Sequence, residues 1–408
     1  MTAAQPISQR ADEHARVLII EPHSSGHHST YLRWVVEAVT ERGWTAVVVT
    51  TAEALEHPLL ATLAKMPRVE LRTRHAKFPS GVTSNRVQII RSELVYWRAI
   101  RAIVRAELAR GALTAVVLPY LDYCFFACGI LGVPWAGLPW HVVSMRVSVL
   151  EGQSEGGVHW KWRLLRRFLS ARSLRTLFSI NPSVRRPPQG WLDAQALAKL
   201  RYLPDPAEYR GTVDRSAARA ALGLTASQVA VLVFGTIDER KGLGRVAAAL
   251  AADAALGSYV LVVAGKQSAA IQESLAHGPL AELRSQRRVV ALDRVLDDAE
   301  QARVFAAADI VWLGYERHTY MSGVLVLAGH AGLPVVVADK GEIAEFVRAH
   351  DCGTLVEVAG TSTVCDALRR LYDEPARDEL GRRLQAAVAD HTPDNFKREL
   401  VAAIAASG

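Results

Sequence analysis

The chain has 408 residues, 50% of them hydrophobic, 22% charged and 7% aromatic, with a formal net charge of +7. That length argues for two domains, each burying its own core, and the apolar share excludes an intrinsically disordered chain. Four cysteines are too few for a disulfide scaffold and lack the partners of a zinc site, so they read as core residues of a reducing compartment. The positive balance comes from 40 arginines against 8 lysines. It favours an anionic ligand (phosphate, nucleotide, nucleic acid or acidic lipid) without choosing among them.

Residues 1–16 are polar and do not read as a secretory signal. Strands are predicted at 17–20, 46–50, 115–118 and 135–138, each a short apolar run without polar alternation. Leu32, Val35, Val36 and Val39 mark the inward face of a helix after the first strand. The uncharged stretch Tyr123–Met145 is interrupted by Pro134, Pro139 and several glycines, so it reads as helix, turn and strand rather than a membrane span. Prolines crowd 181–206 and place the junction there, giving one domain at 1–188 and a second at 189–408. Further strands are predicted at 230–234, 259–264, 289–292, 310–313 and 335–338. A last helix, about 394–406, is a candidate for packing back on the first domain. The β/α alternation predicts an α/β fold of two Rossmann-like doubly wound domains facing across a cleft, with ligands at the carboxyl ends of the strands.

Several segments carry candidate chemistry. The first strand runs into Glu21-Pro22-His23-Ser24-Ser25-Gly26-His27-His28-Ser29-Thr30, which is neither a Walker loop nor a dinucleotide fingerprint. Three readings stay open for it: a polar turn capped by Ser29 or Thr30, a histidine metal site, or a substrate loop at the interdomain cleft in which Gly26, His27 and His28 approach the ligand. No carboxylate stands at helical spacing from those histidines, which weighs against metal. Asp122 and His141 each follow a predicted strand. Asp122 is either a hydrogen-bond acceptor for a substrate hydroxyl or a helix cap. His141 is either a donor or base at a substrate hydroxyl or a core histidine. Residues 160–175 include a basic amphipathic helix that either packs its apolar side inward or lies on an anionic membrane.

In the second half, Gly235 ends a buried strand, and Arg240 and Lys241 precede a helix where they can neutralise a pyrophosphate. A solvated turn is the alternative. Ser322 and Gly323 open another helix, a second cradle for phosphate. Asp297-Asp298 reads as a helix N-terminus, and no Asp-x-Asp occurs, so no metal is expected.

On these residues the second half resembles the nucleotide-sugar domain of GT-B glycosyltransferases, in particular the retaining family 4 (glycosyl transferases group 1). Gly235 through Lys241-Gly242, Ala307-Ala308-Asp309, Ala331-Gly332-Leu333-Pro334-Val335, Gly341 with Glu345, and Cys352-Gly353-Thr354-Leu355-Val356 follow in the family's order over about 203–375. The resemblance implies transfer of a sugar from a nucleoside-diphosphate sugar, UDP or GDP, to a hydroxyl of a small molecule, glycan or lipid-linked acceptor. Retention is implied, with neither metal nor separate cofactor, and the departing phosphate takes the acceptor's proton. Lys241, Arg240 and Gly26 would meet the pyrophosphate, and Ser322 and Gly323 its distal phosphate. Gly235, Thr236, Glu316 and Thr319 would lie near the donor sugar, Arg294 and Val295 near the base, and His141 beside sugar and acceptor.

The departures are specific. Thr236 replaces a usual arginine, and Thr319 and Leu327 replace the two glutamates that the family spaces seven residues apart. Glu316 is the nearest carboxylate to substitute. A catalytically degenerate binder or partner subunit, or a GT-B epimerase, are the competing expectations. No nucleic-acid module is recognised. The expected location is the cytoplasm, with 160–175 a candidate peripheral contact on the inner membrane face.

Overall fold

Apolar runs such as Val17–Ile20 and Ala46–Val49 bury every side chain, so strands built from them require cover on both faces, and helices between consecutive parallel strands supply it. The structure is a computed structural model that describes residues 15–24, 26–74, 78, 86–145, 159–185, 190–211, 213–357 and 359–407. The chain forms two compact units. One runs to Pro204 and includes Pro393 onward; the other is Asp205–Thr392.

In the first unit, β1 (Arg16–Ile20), β2 (Thr45–Thr50), β3 (Val69–Thr73), β4 (Ala115–Leu118), β5 (Trp140–Ser144), β6 (Leu174–Ser179) and β7 (Leu200–Tyr202) form one parallel sheet in the order β3-β2-β1-β4-β5-β6-β7. Helix α1 (His28–Glu41) buries Leu32, Val35, Val36 and Val39, as the spacing predicts. Helices α2 (Arg86–Leu108), α3 (Phe125–Leu131) and α4 (His159–Leu169) follow. In the second unit, β8 (Val229–Phe234), β9 (Tyr259–Ala264), β10 (Val289–Leu292), β11 (Ile310–Leu313), β12 (Val335–Ala338) and β13 (Thr354–Val356) pair in parallel in the order β10-β9-β8-β11-β12-β13. Its helices include α5 (Arg215–Ala221), α6 (Leu243–Ala252) and α7 (Gly323–His330). The last helix, α8 (Pro393–Ala405), returns to the first unit. Phe396 meets Tyr31 of α1 edge-on at 5.5 Å, and Lys397 reaches Glu41 at 2.8 Å.

Two expectations change. The strand read at 135–138 starts instead at Trp140, because 135–138 is a turn. The Trp140 indole donates to Trp135 O at 2.8 Å, and Pro139 O accepts from Val116 N at 2.9 Å. The chain also divides after Pro204 rather than at 188/189, because β7 pairs with β6 through Leu177–Leu200 and Ser179–Tyr202.

Candidate functional site

In each sheet the strand order reverses once, at β1/β4 and at β8/β11, and the carboxyl ends of such a pair leave a crevice where open α/β sheets bind ligands. At the second of these, β8 delivers Gly235 (φ +99°), whose carbonyl lies so near Gly265 that a Cβ there would be 1.8 Å away. A tight turn follows. Asp238 caps it by accepting from Arg240 N at 3.1 Å, and the same carboxylate takes the Arg240 guanidinium at 2.8 and 3.0 Å. Lys241 turns inward: its Nζ donates to Tyr315 Oη at 2.7 Å and sits 4.3 Å over that ring. Its carbonyl accepts from the Trp312 indole at 3.0 Å. Gly242 makes this approach possible. It adopts φ +63°, and a Cβ would stand 2.1 Å from Gly314 O.

Ser322 caps α7 by accepting from Val324 N at 3.3 Å, and its hydroxyl is 3.4 Å from Tyr315 Oη. Nothing lies within 4 Å of a Cβ placed on Gly323, so the first amides of α7 are approachable. Gly235, Lys241, Ser322 and Gly323 therefore gather around Tyr315. A lysine and a helix N-terminus are suited to the oxygens of a diphosphate.

The other predicted donor residues are placed differently. Arg240 is held by Asp238. Glu316 pairs with Arg245 at 3.0 Å, so its carboxylate faces a cation on α6. Arg294 pairs with Glu300, and Val295 is 82% exposed. Thr236 and Thr319 are exposed, whereas Leu327 is buried in the core. Tyr315 carried no signal beyond being an aromatic residue after an apolar strand.

At the first crevice, Glu21 leaves β1 with its side chain wholly buried. Its Oε1 accepts from His23 N at 3.0 Å and lies 3.0 Å from His28 Nδ1. Tyr120 stacks on the His28 ring at 3.9 Å, and Tyr123 Oη is 3.3 Å from His28 Nε2. Tyr96 of α2 lies parallel to Tyr123 at 5.6 Å. Burial raises the Glu21 carboxyl against the lowering effect of His28, and burial with His28 nearby pushes His23 down to about 4. Gly26 takes φ +61° with open space beside it. His27 is exposed at the N-cap of α1, where its side chain makes no cap, so neither Ser29 nor Thr30 opens the helix. Ser25 lies outside the described residues.

Asp122 and His141 are not brought to this crevice as free groups. Asp122 ties the β4 exit to β5, accepting from Ser144 Oγ at 3.0 Å and Met145 N at 2.9 Å, and α3 begins beyond it. His141 lies inside β5, paired with Val117 and Thr176, fully buried, with Nε2 3.0 Å from Ser407 Oγ. The strand starts later than the sequence suggests, so the histidine sits within it rather than past its end.

Burial, reinforced by Arg175 and Arg201, lowers the His141 imidazole to about 4. An unfolded histidine near 6.5 binds protons first, so stability is expected to fall as pH drops from 6.5 to 4. One such group contributes up to about 3 kcal/mol. Chemical denaturation of His141→Gln against pH should show a shallower acid slope than the parent; an identical slope would remove the assignment.

Helix α4 buries Trp162, Leu165, Phe168 and Leu169 and exposes Arg163, Arg166 and Arg167. Its apolar side is therefore core, and the basic side alone faces out. Glu151–Val158 lie outside the described residues. Among the described residues no cluster of His, Cys, Asp and Glu is arranged to hold a metal, and no helix is long and apolar enough to cross a membrane.

Residues 228–374 match the family of glycosyl transferases group 1. The D-inositol 3-phosphate glycosyltransferase of Rhodococcus opacus is 33% identical over 196 residues, which cover 45% of this chain and 43% of that one. The enzyme of the same name from Nocardia farcinica is 34% identical over 182 residues, 43% of this chain and 39% of its own. The match thus spans less than half the length of these curated relatives. Over nearly the whole chain the fold is shared with solved structures. Sucrose-phosphate synthase from Thermosynechococcus elongatus superposes with a TM-score of 0.67 at 18% identity, covering 95% of this chain and 97% of that one. Anabaena HepE, solved with UDP and glucose, gives 0.64 at 17%, covering 96% and 100%. The fold is that of the GT-B glycosyltransferases.

Proposed function

We propose that the protein transfers a sugar from a nucleoside-diphosphate sugar to a hydroxyl acceptor, with retention and without a metal. The observation that carries this reading is the Lys241–Tyr315–Ser322 arrangement at the β8/β11 crevice, inside the residues that match the transferase family. Lys241 and the amides of Ser322 and Gly323 supply the positive charge that a departing diphosphate needs, so the site can stabilise the leaving group electrostatically. Gly26, Gly235, Thr236 and Thr319 keep their roles near the donor in this reading, and Arg294 and Val295 theirs near the base. Arg240 and Glu316 contribute only if released from Asp238 and Arg245.

UDP and GDP are the favoured donors, and HepE's complex with UDP and glucose supports the first. The relatives named for D-inositol 3-phosphate support a polyol-like acceptor. The exposed Thr319 and buried Leu327, standing where the resemblance places glutamates, favour one second reading, a nucleotide-sugar binder without turnover.

Thermal-shift measurements with UDP, GDP, ADP and dTDP, followed by transfer assays on a donor panel, test both. A diphosphate at a hundred times its Kd is expected to stabilise the fold by about 2.7 kcal/mol. Binding with no sugar transferred to any acceptor selects the binder, and no binding at all rejects both.

We place the protein in the cytoplasm, with the basic side of α4 on anionic lipid. Sedimentation with vesicles of phosphatidylglycerol should fall at least about tenfold when Arg163, Arg166 and Arg167 become glutamate, since each surface cation contributes about 1 kcal/mol. Equal binding by the variant would remove the contact.

A further inference from the structure

Tyr315 leaves the carboxyl end of β11 with more hydrogen-bonding capacity than its neighbours use. An ammonium has no lone pair, so in the 2.7 Å contact with Lys241 the lysine donates and the phenol oxygen accepts. The phenolic hydrogen is left for another acceptor. Among the described residues the acceptor beside it is Ser322 Oγ at 3.4 Å, well beyond the roughly 2.7–2.8 Å usual between hydroxyls. That oxygen already accepts from Val324 N. An anionic oxygen held by Lys241 and the first amides of α7 would take the hydrogen over, because a bond to an anion is shorter and about twice as strong as one between neutral groups. The phenol is fixed in advance. Tyr315 is 7% exposed within the core of its unit, and its amide donates to Leu313 O at 2.7 Å. Lys241 Nζ lies 4.3 Å over the ring, and His318 meets it edge-on at 5.1 Å.

We propose that Tyr315 is a ligand of the diphosphate in its own right, its hydroxyl donating to a non-bridging oxygen of the distal phosphate and stabilising that phosphate as the sugar departs. This role rests on the transferase reading and adds a catalytic residue to it. When the bond from the anomeric carbon to the diphosphate oxygen breaks, the electron pair stays on the phosphate, and the added charge is shared by the oxygen that the phenol holds. A donor already oriented toward that oxygen needs no reorganisation at that moment. The phenol keeps its own proton throughout, so the acceptor's proton still goes to the departing phosphate, as retention requires. Lys241 strengthens the contact from behind, because a hydroxyl that accepts from a cation becomes a better donor.

A double-mutant cycle separates this role from mere positioning of the lysine. Full-length parent, Tyr315→Phe, Lys241→Ala and the double variant are titrated calorimetrically with UDP or GDP, whichever the parent binds, and with the matching monophosphate. Melting temperatures show that each variant is folded. A hydroxyl that touches phosphate predicts diphosphate binding about fivefold weaker in Tyr315→Phe, and a further loss of at least about threefold when Lys241 is already alanine. Monophosphate affinity should change by less than about twofold, since the distal phosphate is missing. With the nucleoside-diphosphate sugar, kcat of Tyr315→Phe should fall by a larger factor than donor affinity, because the bond strengthens as charge develops. No further loss in the Lys241→Ala background means that the phenol acts only through the lysine. That result, equal losses for mono- and diphosphate, or an unchanged kcat would each overturn the proposal. A parent that binds diphosphate but transfers no sugar overturns the transferase reading instead, and the binding cycle still decides whether the phenol touches phosphate. A parent that binds no nucleoside diphosphate overturns both.

Discussion

Replacing Lys241 by alanine is expected to weaken nucleoside-diphosphate binding by about 10- to 100-fold, the equivalent of the roughly 1.5–3 kcal/mol carried by a hydrogen bond to a charged group. The lysine is positioned for this before any ligand arrives. Tyr315 holds its Nζ at 2.7 Å, the ring lies beneath it, and a Cβ on Gly235 would approach it to 3.7 Å. Tyr315→Phe keeps the ring and removes the hydroxyl, so it should cost about fivefold, in line with a single neutral hydrogen bond near 1 kcal/mol. Calorimetric titration with UDP and GDP reads both effects. The loss in Lys241→Ala should shrink at high salt, where the parent's own charge contact is screened. Unchanged affinity in Lys241→Ala would remove the phosphate assignment and, with it, the observation on which the transferase reading stands.

The legible part of this molecule follows from periodicity. Strands β1, β2, β4, β8, β9, β10, β11 and β12 are apolar runs, and their order along the chain was enough for a doubly wound fold. Strand β3 reads Val-Glu-Leu-Arg-Thr and β6 carries Arg175 and Thr176, so their apolar signal is diluted, and β7 is only three residues long. These strands take their place from sheet pairing rather than from local propensity. The misplaced start of β5 then carried His141 from a crevice into a core.

The sites divide in the same way. Lys241 and Ser322 are legible because cations and caps at helix starts have a local signature. The contact between Glu21 and His28 is not, although His28 itself is a candidate from the sequence, because a loop, and not a helix, brings the two together, and spacing rules for ligands on one helix face do not apply to it. Tyr315 reaches Lys241 across the β8/β11 switch, a contact that only the sheet order creates.

The largest effect on stability is expected from Asp309→Ala, about 3–5 kcal/mol, the cost of leaving a buried charge without its partner. Asp309 and Arg219 are both buried, at 8% and 7% exposure. Asp309 Oδ2 accepts from Arg219 Nη1 at 2.9 Å and from Ala230 N at 2.8 Å, and its Oδ1 accepts from Arg215 at 2.7 Å. Arg219 also donates to the carbonyls of Ala307, Thr225 and Gln228. Alanine would therefore strand a guanidinium and an amide at the start of β8.

In a unit of this size the loss corresponds to about 6–20 °C in melting temperature. The carboxylate stands at the amino end of β11, before Ile310, whereas Lys241, Tyr315 and Ser322 cluster at the carboxyl end of the same sheet. Stability and binding should thus separate: the melting temperature of Asp309→Ala falls, while the folded variant binds UDP or GDP like the parent below its transition. Asp309→Asn retains acceptor geometry on one side and should lose less. Combining Asp309→Leu with Arg219→Met removes the two most buried charges together and should recover part of the loss, the remainder being held by Arg377, 12% exposed and 3.9 Å from the carboxylate it loses. A melting temperature for Asp309→Ala within a degree or two of the parent's would show that water reaches the pair and that Ala307-Ala308-Asp309 marks something other than a structural anchor.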